Sequence, residues 1–417
     1  MTSKERLQSS LNHIQPDKIP VDFGSTCVTG IHVLAVERLR DYFGLEKKPV
    51  KVIEPCQMLG EIGDDLAEIM HIDVIGLSPY KGTYGFPNGK WKEFKTPWGQ
   101  VVLVPGEFNT VRDQNGDCLI FPEGDVSAPA SGRMPQTGFF FDSIIRQEPI
   151  VEEMLDPEEN MEEYKLLTET DLQYWKDQVS NIADSTKGIA ANFGGTAIGD
   201  ISHVPAPSLK NPKGIRDVEE WYMSTLTRPD YLRYIFEKQT DIVLENFRLL
   251  FDAVGNKIDV LFVCGTDFGT QNSTFCSTEM FDDLYLPFYL KMNNWIHEHT
   301  TWKTMKHSCG AVEPFMEHFI KAGFDIINPV QINAAGMDPV ILKKKYGDRL
   351  VFWGGGVDTQ RVLPYGKPAD VETHVLKNCE IFSKGGGFVF NTVHNIQANV
   401  PTENIVAIFR ALDRFNS

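Results

Sequence analysis

Between residues 259 and 391, five short apolar runs (259–264, 303–307, 325–328, 350–353 and 387–391) alternate with stretches of helical periodicity. Earlier runs at 19–23, 72–77 and 189–193 continue the rhythm toward the N-terminus. Runs this short, separated by helix-length crossovers, predict a parallel sheet with helices packed outside it. So many successive units favour closure into an α/β fold of the (β/α)8 TIM-barrel class over its rival, an open doubly wound sheet. The 417 residues leave room for additions to one barrel of about 250.

The expected organisation is an N-terminal segment, 1–79, with helices and the start of the barrel, which is expected to open with the helix and strand of 60–77. A β-rich insertion spans 80–150, and 151–417 holds the rest of the barrel. Pro97-Trp98-Gly99 and Asp113-Gln114-Asn115-Gly116-Asp117 are hairpin signals within the insertion. Trp91, Trp98, Phe108 and Phe121 there suit either a lid over the barrel mouth or an ordinary packed subdomain. Asp156-Pro157 reads as a helix start, residues 229–253 as one long amphipathic helix, and Phe281 to His297 as another.

Forty basic against 57 acidic residues give a net charge of -17, which repels phosphate backbones and anionic lipid and argues against nucleic acid. Seven scattered cysteines fit reduced thiols and a cytoplasmic setting better than a disulfide framework. No run of about 18 apolar residues suggests a membrane span, and no signal-peptide core follows the first residues.

In a barrel of this kind, the polar residues just past each strand's C-terminal end converge on one mouth. They include Asp267, the pair His307 and Cys309, Gln331, Asp358, and the group Asn391, His394 and Asn395; Thr26 lies in the small-residue loop 24–30 after the first run. Thr26, Gln331, Asp358, Asn391 and Asn395 are candidate substrate contacts. His307 and Cys309, two apart at a strand end, can face one point with donors that zinc favours; a structural His beside an inert Cys is the alternative on spacing alone. His394 at another strand end would complete an open three-ligand site, with Asp267, His307 and Cys309 as the catalytic group. Asp267 suits a proton acceptor, an acceptor behind the ligands, or a cap on the next helix. Gly354-Gly355-Gly356 allows close ligand approach or a tight loop, and lacks the Lys-Ser or Lys-Thr of a phosphate loop.

From about residue 225 onward the sequence resembles the uroporphyrinogen decarboxylase superfamily, in particular its zinc-dependent branch that moves methyl groups to or from corrinoid proteins. The likeness rests on Gly265-Thr266-Asp267-Phe268-Gly269-Thr270-Gln271, His307-Ser308-Cys309-Gly310, Gly355-Gly356-Val357-Asp358 and Pro401-Thr402-Glu403-Asn404-Ile405. It implies a (β/α)8 barrel with zinc on the His-x-Cys pair and a later cysteine. Here His394 stands at the later cysteine's place, removing one negative charge, and Cys264 is the other candidate for the third ligand. The decarboxylases carry paired arginines in the loop after the first strand, whereas loop 24–30 has no cation to meet substrate carboxylates.

The expectation is therefore a zinc enzyme that transfers a methyl group between a partner corrinoid protein and a small methyl donor or a thiol or pterin acceptor. The alternatives are a metal-free decarboxylase of a tetrapyrrole or smaller acid, and a non-catalytic binder of corrinoid or tetrapyrrole.

Overall fold

In the computed structural model, which describes residues 1–417, the apolar runs lie side by side as parallel strands. Seven form one sheet in chain order: Val74–Leu77, Gly188–Ala191, Val260–Cys264, Lys303–His307, Ile326–Asn328, Val351–Trp353 and Phe388–Val389. Residues 20–22 join its two edges. Val21 bridges Phe390 in parallel, Asp22 N donates to Phe390 O at 2.9 Å, and Asp73 N donates to Val21 O at 2.8 Å. The run 19–23 is thus the first of eight staves, cut to a single ladder residue behind Pro20, which has no N–H to offer. The barrel opens here, one unit ahead of the start expected at 60–77.

Side chains alternate across each stave. Val74, Ala190, Val260, Phe262, Met305, Ile326, Val351, Trp353 and Val389 form the barrel interior, and Leu7 and Leu11 of helix Ser3–Leu11 plug its N-terminal end. That helix begins on a Thr2–Glu5 capping box and is tied to the eighth stave by Ser10 Oγ, which donates to Phe388 O at 2.6 Å. The outward-facing residues meet the helices in a second, larger core. Helices Glu169–Asn181, Pro229–Val254, Leu286–His299, Met316–Lys321, Pro339–Tyr346, Pro368–Phe382 and Thr402–Phe415 follow the second to eighth staves in turn. Pro339–Tyr346 starts on Asp338 as cap and ends at Gly347, as its sequence predicts.

Two helical expectations need correcting. Asp156 caps only the short 3₁₀ segment Pro157–Asn160, and the stretch from Phe281 to His297 is two helices, Thr278–Leu284 and Leu286–His299. Pro287 has no N–H to return to the preceding turn, so the chain breaks at Tyr285.

Both hairpin signals sit at turns. Strands Lys92–Lys95 and Val101–Val104 pair around Thr96–Gly99, and Thr110–Arg112 pairs with Cys118–Ile120 around Asp113–Gly116. Gly132–Met134 and Asp142–Ser143 extend the second pair to four strands. Phe108 is buried against Phe86, Phe94 and Phe141, so its ring serves packing. A further small ladder, Val52–Glu54 with Leu59–Gly60, has no alternation long enough to be read from sequence. No helix is long and apolar enough to cross a membrane.

Candidate metal centre

The fifth stave ends on His307, whose ring follows the inward face set by Met305. Its Nδ1 lies 2.6 Å from Asn328 Oδ1 at the end of the sixth stave, and Asn328 Nδ2 donates to Trp353 O at 2.9 Å. With the amide so oriented, Nδ1 carries the ring proton and Nε2 presents its lone pair to the mouth. Cys309 Sγ lies 3.4 Å from that Nε2. His394, past the eighth stave, brings its ring centroid to 5.5 Å from that of His307. The donor atoms of His307, Cys309 and His394 all lie within 4.8 Å of one another.

Asp267, past the fourth stave, accepts from Cys309 N at 2.6 Å, and its Oδ1 is 3.9 Å from His307 Nε2. The next helix begins only at Thr278, so Asp267 caps no helix. Cys264 is elsewhere: its fully buried thiol belongs to the outer core and is not part of the donor group.

Burial disfavours the charged form of each group. Desolvation lowers both His307 and His394 to about 4, His394 with a smaller push from the His307 charge, so both rings are uncharged at neutral pH. It raises the Cys309 thiol well above its ordinary value, with Asp267 adding to the effect, and raises the Asp267 carboxyl. A divalent cation would reverse the balance for the thiol and the carboxyl.

Zinc fits this donor set with one adjustment. Bonds of about 2.3 Å to sulfur and about 2.0 Å to nitrogen set a tetrahedral N···S edge of about 3.5 Å, and the His307–Cys309 separation is 3.4 Å. His394 is less prepared. Asn395 N–H points at its Nδ1 from 2.8 Å, which puts the neutral ring's proton on Nε2. Ligation through Nε2 requires that proton to move to Nδ1 and the Asn395 contact to open.

The candidate substrate contacts are largely occupied by the scaffold. Thr26 Oγ1 is hydrogen-bonded to Thr29 Oγ1 at 3.0 Å inside its own loop. Asn391 Nδ2 donates to Asp22 O at 2.6 Å, and Asn395 accepts from Gly30 N at 2.5 Å while donating to Cys27 O at 2.8 Å and Gln57 Oε1 at 2.7 Å. Gln331 Oε1 accepts from Gly310 N at 2.7 Å, bracing the turn beside Cys309. Asp358 Oδ1 accepts from Gln360 N at 2.7 Å and Arg361 N at 3.0 Å. In the glycine run, Gly354 and Gly355 have positive φ, and a Cβ on Gly356 would come within 2.3 Å of the Phe390 ring, so the loop is tight.

Sequence reasoning passed over Asn328 and Gln57. Asn328 was visible as a polar residue closing an apolar stave; Gln57 lies in a segment with no motif. A cavity of about 800 Å³ opens at the N-terminal end of the barrel beside Arg6, Val21, Asp73 and Asp413, away from the donor cluster.

A family model described as uroporphyrinogen decarboxylase (URO-D) matches residues 141–415. Among solved structures, a methyltransferase from Methanosarcina mazei superposes with a TM-score of 0.54 at 14% identity, covering 100% of both chains, which is a likeness of fold. No curated protein matches.

Proposed function

The chain belongs to the uroporphyrinogen decarboxylase family, and from that membership we propose that it is a zinc-dependent methyltransferase. Its methyl group would pass between a corrinoid protein and a small methyl donor or a thiol or pterin acceptor. The observation that carries this reading is the cluster of His307, Cys309 and His394 donors at the C-terminal mouth, where barrels of this class place their chemistry. The fold shared with the methyltransferase from Methanosarcina mazei is compatible with it.

Zinc held there by His307, Cys309 and His394 would supply Lewis-acid polarisation of the heteroatom that gives up or receives the methyl group. The protein supplies the rest. Asn328 sets the His307 tautomer, so that Nε2 is available without a proton transfer. Asp267, anchored on Cys309 N–H, is the nearby acceptor for the proton of an incoming thiol at a carboxylate oxygen. Gln331 and Asp267 together fix the Cys309–Gly310 turn against the fourth and sixth staves. Seven free cysteines suit a cytoplasmic, reducing setting.

A metal-free decarboxylation of a polycarboxylate is disfavoured. Loop 24–30 has no cation, and its Thr26 and Thr29 hydroxyls satisfy each other.

The test is methyl transfer itself. Zinc-loaded protein mixed with methylcob(III)alamin and a panel of thiols or pterins should accelerate loss of the methylcobalamin spectrum. From cob(I)alamin with an ether or amine donor it should form methylcobalamin. Cys309→Ala should abolish either rate. If the cognate corrinoid protein supports no zinc-dependent transfer in either direction while a porphyrinogen loses carboxylates, the methyltransferase reading fails.

A further inference from the structure

Lys306 lies directly before His307 on the fifth stave and points the other way, into the layer between barrel and helices. It is fully buried there. A buried ammonium without a carboxylate is a large thermodynamic liability. Its Nζ donates instead to two backbone carbonyls, Thr266 O at 2.5 Å and His307 O at 2.6 Å. Three rings close around it, Phe268 at 5.0 Å, Phe319 at 5.7 Å and Tyr289 at 5.9 Å from their centroids, and cation–π attraction offsets part of the lost hydration. The Tyr289 hydroxyl completes the enclosure by donating to Ile198 O at 3.0 Å, 3.0 Å from Thr266 Oγ1 as well.

The two carbonyls are the informative part. Thr266 immediately precedes Asp267, and the His307 carbonyl opens the turn that carries Cys309, so one ammonium holds both strand ends that feed the donor cluster. The loops are also joined by Phe268 N donating to Ser308 Oγ at 2.9 Å and by Cys309 N donating to Asp267 at 2.6 Å. A neutral apolar side chain would fill the same space among the rings but would leave both carbonyls unpaired. Packing therefore does not explain a lysine here, whereas registration of two loops does.

We propose that Lys306 is a positioning residue: from behind the fourth and fifth staves, its ammonium fixes the register of Asp267 against His307 and Cys309. This rests on the reading of His307 and Cys309 as metal ligands.

The test uses the full chain, with zinc affinity measured by competition against a chromophoric chelator and ligand geometry measured by the visible absorption of the cobalt(II)-substituted protein. Lys306→Met, shown to fold by a cooperative melt, should bind zinc about ten-fold or more weakly and give a shifted, weakened cobalt spectrum. Lys306→Arg, which keeps charge and donors, should recover most of both. Should Lys306→Met be insoluble, Lys306→Gln takes its place with the same expectation. Wild-type zinc affinity and an unaltered cobalt spectrum in the neutral variant overturn the proposal, as does a loss that Lys306→Arg leaves unrecovered. Wild-type protein that takes up no zinc, with His307→Ala indistinguishable from it, overturns the metal reading and this proposal together. Zinc uptake abolished by His307→Ala but indifferent to Lys306 removes this proposal alone.

Discussion

On one side of the barrel mouth, between the eighth stave and the first, Asn391 and Asn395 direct their amides at Asp22 O, Gly30 N and Cys27 O, and Thr26 turns back on Thr29. On the other side, between the fourth and fifth staves, the scaffold takes up the backbone groups and leaves Cys309 Sγ and His307 Nε2 facing each other. Both sectors consist of polar residues just past a strand end, yet the first mainly closes the barrel and adds only His394 to the donors, whereas the other holds His307 and Cys309. The first sector must hold a stave that contributes only a single ladder residue, Val21, so side chains replace the missing sheet hydrogen bonds. The other borders staves of five residues each, Val260–Cys264 and Lys303–His307, which need no such help.

If that division is real, substitutions in the two sectors change different observables. The largest effect is expected on the donor side. Cys309→Ala or His307→Ala should remove zinc binding altogether, seen as no metal retained after dialysis. His394→Ala should weaken binding by about ten- to a hundred-fold, the milder loss reflecting the Asn395 contact that occupies the His394 ring. Cys264→Ser should do much less, since its thiol faces the outer core. Elemental analysis with chelator competition ranks the four, and Cys264→Ser exceeding His394→Ala would reassign the third ligand.

On the closing side, Asn395→Ala leaves the buried Gly30 N–H without its partner, while Cys27 O keeps its hydrogen bond from Gln57 Nε2 at 3.1 Å. The expected cost is about 1–3 kcal/mol of folding stability, read by denaturant unfolding. The substitution alters neither the His394 ring nor the backbone N–H of residue 395 beside it, so zinc affinity should stay within about two-fold, well short of the loss typical of a ligand's own partner. A large loss of zinc affinity at unchanged stability would erase the distinction between the sectors.

The barrel was legible because its signal is repeated: each apolar run is short, and each intervening stretch keeps a helical period. The exceptions have local causes. The first stave was visible as an apolar run, but only the pairing of Val21 with Phe390, hundreds of residues away, shows that it closes the barrel. Tyr285 and Pro287 split a helix that periodicity runs together. At the mouth, strand-end position nominated His307, Cys309 and His394, and the structure brings their donors together. The same rule nominated Asn391 and Asn395, because position alone does not say whether an amide meets backbone or ligand. Asn328 and Lys306 escaped for the converse reason: their importance lies in what they touch, and neither belongs to a motif.

The smallest effect expected tests the closing sector through its one buried acid. Asp22, at the end of the first stave, accepts from Ser25 N at 3.1 Å, Ser25 Oγ at 2.8 Å and Trp353 Nε1 at 2.9 Å, which ties the loop to the barrel interior. Burial outweighs these donors and lifts its pKa from 3.8 to about 6. The folded state therefore holds a proton that the unfolded chain has already released over this interval. The resulting stability is fully present below the unfolded pKa of 3.8 and is lost as pH rises through the folded value of about 6. Between pH 5 and 7 the wild type should lose about 1 kcal/mol relative to Asp22→Asn, whose amide does not titrate. Urea unfolding of the two proteins across that range measures the difference. Parallel pH profiles would mean that Asp22 is ionised in the folded barrel, and that the three donors around it outweigh its burial.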